Sequence, residues 1–332
     1  MQWFRREGRD LPWRRTDDPY AILVSEIMLQ QTQVIKVIDY YKRWMQRFPT
    51  AKALAAAGEP EVLSLWQGLG YYSRARNLHA AARQIVEAHG GLFPEEPASI
   101  LSLPGVGKYT AAAVATFAFD RPTPPVDGNI ARVVARLMND ATPVDSTAGL
   151  ERIRQHAEAW QPLRGAGEFN EALMELGALV CSPRSPRCLT CPVRAYCAAG
   201  EPELLPVKKP RRKVVALEER CGWVLRQGCI LLEKQAGPRW KGMWKLPLLP
   251  EKSGGTAEEA PPLLELDYPF THHRITLKVY ALPSAAVAHE AACEWFSLEK
   301  GSPTGGPVLE ALPMTAPHRR ALETLLAALP DR

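Results

Sequence analysis

Four of the chain's seven cysteines fall within seventeen residues, in CSPRSPRCLTCPVRAYC from Cys181 to Cys197. A chain that gathers four thiols over so short a span folds there around whatever joins them. Disulfides, a zinc knot and an iron–sulfur cluster are the three candidates. The first residues, MQWFRREGRD, lack the apolar core and small-residue cleavage site of a secretory signal. A reducing, cytoplasmic compartment is therefore expected (nucleoid-associated if the source is bacterial), and structural disulfides are rare there. The spacing C-x6-C-x2-C-x5-C holds one short pair, whereas zinc knots more often show two. It does not match the bacterial ferredoxin run either. Spacing alone leaves zinc and iron–sulfur even. Cys221, Cys229 and Cys293 are isolated and are expected to be core residues.

The cysteines also mark a change of pattern. From residue 19 to about 180, apolar residues recur at helical spacing in PYAILVSEIMLQQTQVIKVIDYYKRWMQRF, SRARNLHAAARQIVEAHG, KYTAAAVATFAF, NIARVVARLM and FNEALMELGALVC. Gly and Pro punctuate these stretches at short intervals. An all-α domain over 1–200 follows. EPELLPVKKPRRK (201–213), rich in Pro, Lys and Arg, has little to bury and is expected to be a linker. Beyond it, over 214–332, the period shifts toward two. CGWVLRQGCILLEKQ predicts a hairpin turning at Gln227-Gly228, RITLKVYAL and ACEWFSL are strand candidates, and APHRRALETLLAAL predicts a closing helix. This is a smaller α+β domain, with PEKSGGTAEEAPP as a loop. With 46% hydrophobic and 23% charged residues the chain can bury two cores. No apolar run reaches membrane-spanning length. A net charge of +5 permits a nucleic-acid partner without establishing one.

Three stretches carry candidate chemistry. In LPGVGKYTAAAVATFAF, Gly105 and Gly107 make a tight turn ahead of a helix beginning at Lys108 or Tyr109, whose free N–H groups suit an anion. Nineteen residues after Lys108 comes Asp127 in PVDGNIARVVARL. Read locally, it is a helix N-cap. Glu26 follows Ile22 by four and Leu23 by three, which places it on their apolar face. A carboxylate in such surroundings has a raised pKa and can hold a proton near neutrality, as a general acid must.

The LPGVG-x-Y-T-A context, spanning about 99–116, resembles the helix–hairpin–helix element of base-excision DNA glycosylases, which grips phosphate rather than reading bases. In that superfamily an aspartate at the distance and context of Asp127 serves the reaction at the sugar's anomeric carbon. The branch resembling endonuclease III attacks the sugar with a lysine where this chain has Tyr109. Lys108 lies one residue early, about 100° round a helix, and is expected to face phosphate or solvent. LPW, SEIMLQQTQV and GLGYYSRARNLH together resemble adenine DNA glycosylases of the MutY type, nearly continuously from Leu11 to Cys197. RWKGMWKLPLLP and YPFTHHRITLKVY resemble the C-terminal domain of that family, which is Nudix-like in fold. The glutamate-rich helix of catalytic Nudix proteins is absent from the sequence.

The resemblance implies an all-α helix–hairpin–helix glycosylase domain closed by an iron–sulfur loop, followed by a Nudix-like domain that binds 8-oxoguanine. It implies a [4Fe–4S] cluster on Cys181, Cys188, Cys191 and Cys197. Nearby Arg184, Arg187 and Arg194 would lie against DNA. The implied activity is hydrolysis of the N-glycosidic bond of adenine mispaired with 8-oxoguanine or guanine in double-stranded DNA, leaving an abasic site. Glu26 would be the acid and Asp127 the stabilising carboxylate, with Tyr109 and Asn129 hydrogen-bonding around them. Trp13, Arg14 and Glu171 would line the adenine pocket. Gln31, Thr32, Leu69 and Tyr71 would act at the lesion and the base stack, and Gly105, Gly107 and Lys108 at phosphate. Phe270-Thr271-His272 stands where the family has Phe-Ser-His. Threonine keeps the hydroxyl and adds a methyl. A monomer is expected, with no membrane partner and a sliding clamp as one candidate protein partner. Two alternatives are an endonuclease III-like glycosylase/lyase acting on oxidised pyrimidines and a catalytically degenerate lesion-binding protein.

Overall fold

The computed structural model describes residues 1–210, 213–237, 240–249, 261–283, 292–298, 309 and 312–328. Contacts divide it into two units, one of Met1–Leu65 with Arg74–Pro210 and one of Trp66–Ser73 with Arg211–Arg332. Residues 250–260 of the expected loop, and Arg211 and Arg212 of KKPRRK, lie outside the described residues.

The first unit is helical. After α1 (Gln2–Glu7), the helix α2 (Pro19–Leu29) is its centre. Asp18 caps α2 by accepting from the Tyr20 N–H at 3.0 Å, and Pro19 takes the first turn, where its missing N–H costs nothing. Nine consecutive residues, Tyr20 to Met28, are buried. The expectation of one apolar face on α2 is thus too weak. A helix apolar nearly all round has no solvent side, and Glu26 is inside with the rest. By contrast, α3 (Val34–Arg47) buries only the stripe Val37, Tyr41 and Trp44. The series continues through α4 (Ala51–Ala56), α5 (Glu59–Trp66) and α6 (Ser73–His89).

The helix–hairpin–helix is α7 (Pro97–Leu101), a turn through Gly105 and Gly107, and α8 (Lys108–Phe119). Gly105 has φ +77° and lies so close to Asn77 that an added Cβ would meet its Cβ at 2.6 Å. No L-residue with a side chain fits there. Leu103 and Val106 anchor the turn in the core. Next come α9 (Gly128–Leu137), α10 (Thr147–Ala159) and α11 (Ala166–Leu179). The α9 and α11 backbones approach closely at Gly177, where a Cβ would fall 2.6 Å from the Cβ of Asn129.

The helical unit does not end at residue 200. Val144 N–H donates to the Val207 carbonyl (3.0 Å), Lys209 N–H to Asp145 (2.8 Å) and Arg136 Nε to the Leu205 carbonyl (3.0 Å). These bonds to its main-chain atoms hold most of the expected linker on the helices. The composition of that stretch hides them, because the partners are main-chain atoms.

In the second unit, β1 (Val215–Arg226), β2 (Cys229–Lys234), β3 (Trp244–Lys245), β4 (Leu264–Phe270), β5 (His273–Leu282) and β6 (Cys293–Ser297) form one mixed sheet in the order β3-β2-β1-β5-β4, with β6 beside β2. β1 and β5 are parallel, from Val215 opposite His273 to Val224 opposite Leu282. The β1–β2 hairpin turns at Gln227 (φ +48°) and Gly228 (φ +74°), the left-handed pair that a two-residue hairpin needs. Cys221, Trp223, Ile230, Leu232, Leu277, Val279 and Phe296 pack with Ala321 and Leu322 of α12 (Ala316–Ala327) as the core. Of the three isolated cysteines only Cys221 is fully buried, while Cys229 and Cys293 are half-buried. Among the described residues no helix is long and apolar enough to cross a membrane.

Candidate active site

The helical unit holds a cavity of about 820 Å³, within the range of small-molecule and base pockets. Twelve residues singled out from the sequence line it. Trp13 and Arg14 come from the N-terminal segment, Glu26 from α2, and Gln31 and Thr32 from the turn after it. Gly105, Gly107, Lys108 and Tyr109 come from the hairpin, Asp127 and Asn129 from the start of α9, and Glu171 from α11.

Glu26 is 4% exposed, and its carboxylate accepts one hydrogen bond, from Tyr109 Oη at 2.8 Å. Burial pushes its pKa up to about 7, against the pull of that single donor, and the charges of Asp127 and Glu171 push the same way. The Tyr109 phenol is held well above its usual range by burial and by the neighbouring carboxylates, so it stays a donor.

Asp127 is in different surroundings. It is the N-cap of α9, its Oδ1 accepting from the N–H groups of Asn129 (2.9 Å) and Ile130 (2.7 Å) and its Oδ2 from Asn129 Nδ2 (2.8 Å). Burial raises its pKa, and those three donors with the nearby Arg132 charge oppose the rise. The local capping role and a catalytic role coexist, because capping is what supplies a buried carboxylate with donors to its ionised form.

The cap is itself braced. Asn129 Oδ1 accepts from Arg132 Nη2 at 2.8 Å, and the same guanidinium donates to the carbonyls of Gly177 (2.8 Å) and Cys181 (2.7 Å). One turn on, Arg136, 1% exposed, donates to the carbonyls of Ser182, Pro183 and Leu205 and, at 3.3 Å, to Cys181 Sγ. Neither arginine was marked by the sequence, where both read as ordinary helix charges.

Cys181, Cys188, Cys191 and Cys197 line a second, small cavity with Val133, Leu137, Leu176 and Val193. All four thiols are unpaired and half-buried. Burial raises the Cys191 thiol, and the other three cysteines add to the rise, as expected of sulfurs facing one another. Four convergent sulfur donors with an arginine against one of them fit a four-thiolate metal group.

Other residues from the sequence lie elsewhere. Leu69 is buried and Tyr71 is 47% exposed, with φ +47°. Both belong to Trp66–Ser73, which groups with the sheet unit. Phe270, Thr271 and His272 form the β4–β5 turn, where Thr271 has φ +54° and Phe270 packs edge-on to Trp240 at 5.5 Å. Two charged residues at the main cavity went unmarked, Arg9 and Glu175. Glu175 shares the face of Glu171 four residues on, a signal that was present and unused.

A family model, described as HhH-GPD superfamily base excision DNA repair protein, matches residues 24–162. Adenine DNA glycosylase of Mycolicibacterium smegmatis is 45% identical over 206 residues, which cover 61% of this chain and 69% of that protein. The chain belongs to the adenine DNA glycosylase family. The human adenine DNA glycosylase is 46% identical over 210 residues, covering 60% of this chain and 38% of the human protein. The chain thus spans about two fifths of the length of the mammalian family members it matches. A solved structure of a thermostable thymine-DNA glycosylase superposes with TM-score 0.55 at 32% identity, covering 59% of this chain and 91% of that one. The family match over 24–162 takes in both carboxylates, Glu26 and Asp127.

Proposed function

We propose that this chain is a DNA repair enzyme that removes adenine mispaired with 8-oxoguanine by hydrolysing its N-glycosidic bond. The observation that carries the reading is the pair Glu26 and Asp127. Both line one cavity, Glu26 buried and nearly donorless with a pKa of about 7, Asp127 half-buried and capped by three N–H donors. Two carboxyls in such different surroundings, one starved of donors and one supplied with them, can divide acid and charge-stabilising work, as in glycoside hydrolysis.

The target base leaves the duplex to reach such a cavity. Glu26 gives its proton to adenine N7, so the base departs neutral. The sugar left behind is oxocarbenium-like, and the Asp127 charge stabilises it or captures it transiently. Glu26, now ionised, takes a proton from the attacking water. Tyr109 holds the Glu26 carboxylate in place, and Asn129 does the same for Asp127. Trp13, Arg14 and Glu171 surround the adenine. Gln31, Thr32, Leu69 and Tyr71, with Phe270-Thr271-His272 of a Nudix-like sheet domain, meet the opposite base and the stack. Gly105, Gly107 and Lys108 meet phosphate.

Cys181, Cys188, Cys191 and Cys197 would hold a [4Fe–4S] cluster. When bound, it supplies metal–thiolate cross-links that close the 181–197 loop. Arg184, Arg187 and Arg194 are exposed on that loop and suit DNA phosphates.

Single-turnover cleavage of a duplex with one adenine opposite 8-oxoguanine tests this, wild type beside Asp127→Asn. Asparagine also caps helices, so the variant removes charge and keeps the fold. Adenine release by wild type and none by the variant is expected. Strand cleavage by wild type without added base would instead select the glycosylase/lyase alternative. Mispair binding with no base release would select the lesion-binding one.

A further inference from the structure

Glu175 of α11 is wholly buried at the cavity wall. Its Oε1 accepts from the Arg9 backbone N–H (2.9 Å) and Arg9 Nε (2.7 Å), and its Oε2 from Arg9 Nη2 (2.9 Å) and Arg14 Nη2 (2.7 Å). A carboxylate has about four lone-pair sites, and all are taken. Glu175 therefore has nothing left to offer a ligand directly. What it does is immobilise two guanidinium groups.

Arg14 is fixed on three sides, by Glu175, by the Arg9 carbonyl (3.0 Å from Nη1) and by the Phe4 ring, 5.2 Å below its guanidinium carbon. Its Nε stands 3.7 Å from Glu171 Oε1, too far for a hydrogen bond. Arg9 is clamped through Nε and Nη2, while its Nη1 has no acceptor among the described residues and its side chain is 37% exposed. Rigid N–H donors therefore remain at the cavity beside a carboxyl, Glu171, that can accept. A purine with an exocyclic amine presents the complement, ring nitrogens that accept and an amine that donates.

We propose that Glu175 is a positioning residue for base recognition, holding Arg9 and Arg14 as a preset donor pair for the extruded purine. This rests on the proposed function above. A competing role is purely structural, with Glu175 tying the N-terminal segment to α11 without regard to any base.

The test compares wild type, Glu175→Gln and Arg9→Met on two duplexes that differ at one position. One carries a non-cleavable 2′-fluoro-adenosine opposite 8-oxoguanine, the other a tetrahydrofuran abasic analogue. Charge-assisted bonds of this kind correspond to about 10- to 100-fold in affinity, and that loss is expected on the adenine duplex only, with the abasic duplex changed by less than about 3-fold. Equal weakening on both duplexes, or none on either, overturns the proposal. Arg9→Met retains the Glu175–Arg14 bond and tests the same link should Glu175→Gln fail to fold. Wild type is also assayed for adenine release from the cleavable duplex. Absence of release there overturns the functional reading itself, and this inference with it, whatever the affinity ratios show.

Discussion

Glu26 and Glu175 are the same residue type at the same cavity, both inside the protein, yet their ionisation is opposite. Glu26 on α2 is 4% exposed, receives one hydroxyl donor and has a pKa of about 7. Glu175 on α11 is 0% exposed, receives four N–H donors from two arginine residues and has a pKa of about 2. Burial penalises both charges. What separates them is the donors, so the charge state of a buried carboxyl is set by its partners. An enzyme that needs a proton donor at neutral pH keeps the donors away from one carboxyl, and a rigid wall opposite it comes from crowding them onto another.

The strongest way to break this comparison is to take away the one titrating proton. Glu26→Gln preserves shape and the Tyr109 contact but cannot deliver a proton. General acid catalysis contributes on the order of 10²- to 10⁴-fold, and single-turnover base release should fall by at least that much while mispair affinity persists. Loss of affinity with normal release per bound complex would contradict the assignment. Next in size is the opposite wall. Glu175→Gln removes the charge that Arg9 and Arg14 face, and breaking a buried ion pair costs about 3–5 kcal/mol. Urea unfolding at pH 7 should show a loss near the lower figure, because Arg9 is partly solvated.

pH distinguishes the two carboxyls by sign. The Glu26 pKa is raised from 4.5 to about 7, so its contribution to stability is largest below pH 4.5 and is lost as pH rises toward 7. The Glu175 pKa is lowered to about 2, so its contribution is present above pH 4.5 and lost as pH falls toward 2. Glu26→Gln should therefore be more stable than wild type at pH 8 by roughly 3 kcal/mol, the rounded equivalent of that shift, with the gain vanishing by pH 4. Denaturation at the two pH values checks it. Activity should decline as pH rises above 7, where the acid is deprotonated before the base arrives.

How far the site was legible in the sequence follows from the range of each interaction. Glu26 could be found because its apolar neighbours, Ile22 and Leu23, are one helical turn away. Asp127 could be found as a cap because its donors are the next residues. Glu175 had one local signal, its place on the Glu171 face of α11, but its role stayed hidden because Arg9 and Arg14 are separated from it by more than 160 residues. Arg132 and Arg136 were hidden for a related reason, since they satisfy carbonyls of the 177–183 and 205 segments, and carbonyls leave no trace in composition. Cysteine spacing left two metal groups open, and their convergence on one cavity became visible only when Val180, Leu176 and Leu137 packed around them. The sheet unit was read well where period two and the Gln227-Gly228 turn coincided. The grouping of Trp66–Ser73 with that unit had no local signal.

The smallest prediction extends the comparison from charge to backbone. Thr271 costs stability as Glu26 does, but through φ +54°, a left-handed conformation that a β-branched residue resists. The turn keeps it there although Asn or Gly would sit more easily. Its hydroxyl lies 3.3 Å from His273 Nδ1, a modest local return. Thr271→Asn should raise stability by about 0.5–1 kcal/mol and reduce the preference for 8-oxoguanine over guanine opposite adenine, if the hydroxyl is what meets the lesion. A thermal unfolding series with paired cleavage assays separates the two effects. Stabilisation with unchanged preference would mean that the strain is only a hairpin's geometry. An unchanged midpoint would mean that the His273 contact offsets the strain in full. Only stabilisation together with lost preference makes the strained turn the backbone counterpart of the donor-poor carboxyl, each less stable than a simpler residue would be and each retained for what it does to DNA.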